Sequence, residues 1–167
     1  MTSIRKKMQS IPVVRLDPKQ LARQLTLREM DLYQGIELNE LLHQGWAKMK
    51  TSEQTCPNIF AYISWFNKVT AWVATEICMS NSMRLRVSVV KFFITVARHC
   101  ASWNNYNTVF EIISGLNLPS VFRLKKTWSN IPSKYMKCKS KTYQKQNKKK
   151  TTTLQNNTKP DPQQQPL

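Results

Sequence analysis

Apolar residues recur along this chain at intervals of three and four, the period of a helix face, with no strand-like alternation in its body. The longest pattern opens at Pro57: Ile59, Ile63, Phe66, Val69, Val73 and Ile77 form one stripe, which predicts a long α-helix. Trp65 and Trp72 lie on a second face of it, so the helix is expected between neighbours rather than on a surface. A second helix, near Met83 to Cys100, carries Leu85, Val89, Phe92, Val96 and Cys100 at the same rhythm. A third follows a paired asparagine suited to capping, with Tyr106, Val109, Phe110 and Ile113 on one face. Gly115 and Asn117 tolerate left-handed backbone and predict its end. Pro119 can open a further short helix, which would carry Arg123, Leu124 and Trp128.

The N-terminal part reads less cleanly. Asp17-Pro18 is a cap followed by a proline at the first helical position, with Leu21 and Leu25 on one face. Thr26-Leu27-Arg28-Glu29 fits a capping box, which predicts a bend or restart, with Met30, Tyr33 and Ile36 turned inward. Leu38, Leu41 and Leu42 predict a short helix ending near Gly45-Trp46, and residues 47–56 a polar loop. Pro132 to Met136 looks like a helix start, after which the periodicity fails. With three glycines in all, the body is expected to be all-α. Residues 1–15 are expected to be a flexible basic arm, 16–136 the helical domain and 137–167 a disordered tail of Lys, Thr, Gln and Pro.

Charge sharpens that division. Of the net +17, the tail supplies eight lysines against one aspartate, and the body keeps 18 basic and 8 acidic residues. Both parts should favour anionic surfaces, whether lipid, nucleic acid or acidic protein. Nine acids and two histidines offer little for acid–base catalysis, and no Ser/His/Asp triad, P-loop or Gly-rich nucleotide fingerprint occurs. Cys56, Cys78, Cys100 and Cys138 have no C-x-x-C spacing, so reduced structural thiols are expected rather than a metal site. No secretory apolar run and no stretch of 18 apolar residues is present, and the expected location is the cytoplasm, with membrane association through the lysine-rich tail as an option.

The stretch NNYNTVFEIISGLN followed by SVFRLKKTW resembles the central segment of the catalytic domain of Ras-family guanine-nucleotide exchange factors, the RasGEF domain. Upstream, LDPKQLARQLTLREMDLYQGI resembles that family's opening, and CPNIFAYISWFNKVTAWVATEIC its first long buried helix. The resemblance runs from about Leu16 to Lys134 and implies a partial RasGEF-type helical domain joined to an unrelated basic tail. It implies no covalent chemistry and no cofactor. Such a protein accelerates nucleotide release by favouring the nucleotide-free conformation of a GTPase, a negative coupling between two ligands.

By motif match, the resemblance places GTPase contacts at Ile63, Ser64 and Asn67 on the long helix and at Phe110, Ser114, Asn117 and Phe122 on the central stretch. From pattern alone Ile63 and Phe110 fit core packing as well as contact, and Asn117 fits a helix cap. Some family members carry a basic residue where Ser64 stands. Members of the family continue with a long helix and a protruding hairpin that opens the nucleotide site, and this sequence shows no counterpart of them. Three function classes remain open. One is an exchange factor for a Ras- or Rap-like GTPase with impaired or lost activity, and another a non-catalytic fragment that binds a GTPase or another exchange factor. The third is a basic-tail binder of anionic membrane or nucleic acid. No specific nucleic acid is expected, because Tyr143 is the tail's only aromatic residue for stacking.

Overall fold

A computed structural model describes residues 13–42 and 55–140 of the chain, and among them the regular structure is entirely helical. After a 3-10 turn at Val13–Arg15, helix α1 spans Pro18–Gln34 and the short α2 Leu38–Leu41. Then come α3 at Pro57–Cys78, α4 at Met83–Ser102 and α5 at Tyr106–Asn117. Two short helices, α6 at Pro119–Phe122 and α7 at Lys125–Ser129, lead into a last helical stretch, α8, at residues 133–140. None of these helices is long and apolar enough to cross a membrane.

Local chemistry sets the starts. The Asp17 carboxylate accepts from the backbone N–H groups of Lys19 and Gln20, and Pro18 takes the first helical position. Ser82 caps α4 by accepting from Leu85 N at 3.2 Å. Cys56 gives α3 no side-chain cap; the buried Glu40 of α2 does that work, accepting from Ile59 N at 2.9 Å and from the Asn58 amide. Ahead of α5, Asn104 takes the left-handed backbone (φ 62°) and Asn105 is the cap, accepting from Thr108 N at 3.0 Å.

Helix α4 runs through the middle of the bundle, with α1, α3 and α5 packed around it. Val90, Phe93, Val96 and Cys100 of α4 meet Val73 and Ile77 of α3 and Val109, Ile112 and Leu116 of α5, all fully buried. The ring of Trp72 stands edge-on to Phe93 at 5.2 Å, and Phe92 to Phe93 at 5.6 Å.

Several expectations need correction. Helix α1 does not restart at Thr26: its hydroxyl donates back to Ala22 O at 2.8 Å within one continuous helix. Met30 and Tyr33 are 55% and 66% exposed, because the inward stripe runs Ala22, Leu25, Glu29, with a carboxylate where an apolar residue was expected. Leu38, Leu41 and Leu42 are exposed as well, and Glu40 is the buried residue of α2. The expected end of that helix near Gly45 and the loop at 47–54 lie outside the described residues. Gly115 sits inside α5 without positive φ, and the expected helix across Arg123 to Trp128 is divided by a turn at Arg123. The helix begun at 133 continues to 140, four residues past Met136, with Tyr135 and Cys138 packed against the core. Residues 141–167 and 1–12 lie outside the described part of the chain.

Candidate functional site

Helices α3 and α5 run in the same direction and share the most extensive contact in the bundle. Their register is fixed at two levels, and a third contact ties α3 to α6. The Thr70 hydroxyl donates to Glu111 O at 3.2 Å. Gly115 presses directly on α3, where an added Cβ would stand 2.7 Å from Thr70 O and 2.8 Å from Val73 Cβ. Farther along, Cys78 Sγ points to Ser120 O at 3.9 Å. Gly115 is needed here for closeness, not for backbone freedom.

With Glu111 and Gly115 committed to this seam, Phe110, Ser114 and Asn117 form a column one step round α5, spaced four and three. On α3, Ile63 and Asn67 form a matching column, the second of them one turn before Thr70. The two columns border the seam, whereas Ser64 stands apart from them and lines a cleft with Arg28 and Leu32 of α1. Ile63 is 43% exposed and Phe122 58%, Asn67 and Asn117 are exposed, and Ser64, Phe110 and Ser114 are half-buried. Ile63 thus leaves the apolar stripe on which Val69, Val73 and Ile77 stay buried. Asn117 ends α5, and the cap position beyond it is Leu118.

Phe122 projects from α6 over a fixed base. Val121 beside it is buried, and the Trp128 indole N–H donates to Val121 O at 3.0 Å. The Lys125 ammonium lies 4.4 Å from the centre of the Phe122 ring. From α8, Lys139 Nζ donates to Asn117 Oδ1 at 2.8 Å and stands 4.8 Å from the centre of the Trp128 ring. Burial holds the Lys139 ammonium below the usual lysine range. Sequence reasoning did not single out Lys139, which stands in a polar run without periodicity.

Behind the seam lies a polar cluster, part-buried, that engages Asn105 and Asn107. Glu29 of α1, 5% exposed, accepts from the Thr108 hydroxyl and the Asn107 amide. The Asn105 amide donates to Thr26 Oγ1 at 3.0 Å and Thr108 Oγ1 at 2.9 Å, and Asn107 also reaches Glu111 Oε1 at 3.3 Å. Burial, and then the nearby Glu29 carboxylate, push Glu111 up to about 8. The same two causes raise Tyr62 above the ordinary phenol range. Among the described residues Glu111 Oε2 has no hydrogen-bond partner, which a protonated carboxyl tolerates better than a carboxylate. Among the described residues no group of three or more His, Cys, Asp or Glu is placed to hold a metal ion.

The chain matches the RasGEF domain over residues 20–166, a range that includes the segment beyond Met136. It is 41% identical over 133 residues to Ras guanine nucleotide exchange factor M of Dictyostelium discoideum, covering 80% of this chain and 14% of that protein. It is 49% identical over 119 residues to Ras guanine nucleotide exchange factor E of the same organism, covering 71% and 11%. To Ras-GEF domain-containing family member 1C of Mus musculus it is 40% identical over 122 residues, covering 69% and 26%. The chain therefore spans only between a tenth and about a quarter of the length of these curated relatives.

Proposed function

Because this chain belongs to the RasGEF domain family, we propose that the surface bordering the α3–α5 seam binds the mobile switch region of a Ras- or Rap-like small GTPase, in the service of guanine-nucleotide exchange. Ile63, Phe110 and Phe122 would receive apolar side chains of that region, and Ser64, Asn67, Ser114 and Asn117 would exchange hydrogen bonds with its backbone. The reading is carried by one observation: residues matched by motif from two distant stretches border one seam, the apolar Ile63 and Phe122 left open to solvent. Exposed apolar groups rimmed by amides and cations suit a partner better than a core.

Exchange itself requires differential affinity. A ligand that binds nucleotide-loaded and empty GTPase equally shifts nothing, however tight it is. For the 167 residues by themselves we propose grip without opening: GTPase binding with little acceleration of release. Any protein that carries this region with further segments could convert the grip into exchange. The location proposed is the cytoplasm, with an anionic membrane as the proposed contact of the lysine-rich tail.

Release of labelled nucleotide from Ras and Rap, with and without saturating chain, tests both parts. Binding that is lost in the Asn117→Ala, Phe122→Ala double mutant, with release little changed, is the expected result. Strong acceleration that disappears in the double mutant would refute grip without opening. Undiminished binding by the double mutant would refute the face.

A further inference from the structure

Lys139 touches the proposed face at one atom, and the chemistry of that contact is directional. An ammonium has only donors, so the group that meets it at 2.8 Å must be the amide oxygen of Asn117. The amide N–H groups of Asn117 then point the other way. Among the described residues they have no hydrogen-bond partner, and Asn117 remains exposed with Lys139 in place. Lys139 does not cover the face; it orients one of its members. The lysine is itself held, half-buried, with its ammonium over the Trp128 ring at 4.8 Å, and Trp128 is fixed by its bond to Val121 O beside Phe122. One connected set thus links α8, α7, α6 and the end of α5.

The stretch of chain that carries this set has charges of one sign. Residues 112–140 contain Arg123, Lys125, Lys126, Lys134, Lys137 and Lys139 and no acidic residue. A partner segment seated on Asn117 and Phe122 meets outward amide donors in a basic surround, which selects carbonyl and carboxylate acceptors.

We propose that Lys139 is a positioning residue of the GTPase-binding face, turning the Asn117 amide so that its N–H groups meet an acceptor-rich, acidic segment of the partner. The inference rests on the reading of that face given above. An amide turned in advance loses less freedom on binding, so its loss should weaken affinity about three- to tenfold.

The experiment measures binding of nucleotide-free Ras and Rap to the 167-residue chain by calorimetry. Lys139→Leu keeps an apolar stem over Trp128 without the donor, and Lys139→Arg keeps a donor. Weaker binding by Lys139→Leu, recovery by Lys139→Arg, and no further loss when Lys139→Leu is added to Asn117→Ala are expected. Tighter or equal binding by Lys139→Leu would overturn the proposal, the first by making Lys139 an obstructing latch. An equal loss in the Asn117→Ala background would also overturn it, by making Lys139 a direct contact.

The side-chain amide resonances of Asn117 in the free chain provide a reading that needs no partner. They should be dispersed in wild type and Lys139→Arg and move toward averaged positions in Lys139→Leu, with unchanged backbone spectra elsewhere. Resonances that do not respond would overturn the positioning role. If neither GTPase binds, or Phe122→Ala binds as wild type does, the reading of the face fails while the amide spectra still decide on Lys139.

Discussion

Helix α5 meets α3 through something missing and meets α1 through a mesh of hydrogen bonds. On the α3 side, Gly115 has no side chain, and the backbone carbonyl of Thr70 takes the space a Cβ would need. On the α1 side, the buried Glu29 and Thr108 and the half-buried Thr26, Asn105 and Asn107 are joined by hydrogen bonds. Both contacts fix the same helix, but through different variables. The first is specified by volume and the second by the pairing of donors and acceptors, and so by protons. Interiors forgive neither a misplaced methyl group nor an unpaired polar atom.

The volume contact should give the largest response. Gly115→Val must push α5 off α3, since the obstructing Thr70 oxygen is backbone and cannot swing aside. The expected destabilisation is at or above the top of the usual range of about 1–3 kcal/mol for overpacking. Gly115→Ala is the sharper case, because alanine in a helix interior gains about 1 kcal/mol over glycine by propensity. If crowding decides, urea denaturation will show Gly115→Ala less stable than wild type. A more stable Gly115→Ala would show that the seam has room and that the comparison is misdrawn.

Next comes the mesh. Glu29→Ala removes the acceptor of the buried Thr108 hydroxyl and one of the two acceptors of the half-buried Asn107 amide. A loss of about 2 kcal/mol is expected in denaturation experiments. An unchanged midpoint would mean that water replaces the carboxylate and that the mesh is wetter than its burial implies.

Protons distinguish the two contacts more finely. The folded pKa of Glu111, about 8, lies above its ordinary value of 4.5. Folding therefore favours the protonated form, so the contribution to stability is complete below about pH 4.5 and is lost as pH rises through about 8. Stability should fall between pH 5.5 and pH 8 with a slope no steeper than about 1.4 kcal/mol per pH unit for one proton. The Glu29 carboxylate is the second cause of the raised Glu111 pKa, after burial. Glu111→Gln should flatten the slope. A wild-type profile already flat across this interval would show that Glu111 is ionised in the folded state.

The volume contact was half legible in the sequence and the mesh hardly at all. Spacing of Val69, Val73 and Ile77, and of Val89, Phe92 and Val96, marked the inward faces of α3 and α4 because burial follows the helical period. Gly115 was visible as a special residue, but its type alone does not separate a left-handed cap from a close approach; only the position of Thr70 does. Glu29 escaped because an acidic residue ordinarily signals solvent, and its partners sit nearly eighty positions away. The same assumption turned Met30 and Tyr33 inward when the bundle leaves them outside. The resemblance supplied all seven candidate contact positions, of which pattern alone assigns Ile63 and Phe110 to the core and Asn117 to a helix cap. Lys139 carried no signal, since a lysine in a polar run acquires meaning only from the amide that it meets.

The smallest effect on stability should come from Ile63, and it bears on function most directly. Ile63 shares a periodic stripe with Ile77, yet one is 43% exposed and the other 0%. Were the stripe a uniform core face, Ile63→Ala would cost as much as truncating a buried isoleucine, which typically costs about 2–5 kcal/mol. The exposed position instead predicts a change of about 0.5 kcal/mol. If the residue serves a partner, its truncation should weaken binding of nucleotide-free Ras or Rap while the denaturation midpoint stays put. Ile63→Ala that unfolds easily would return the residue to the core. Ile63→Ala that is stable and binds normally would leave the seam intact and remove α3's apolar member from the proposed contact, confining recognition to the Asn117–Phe122 end.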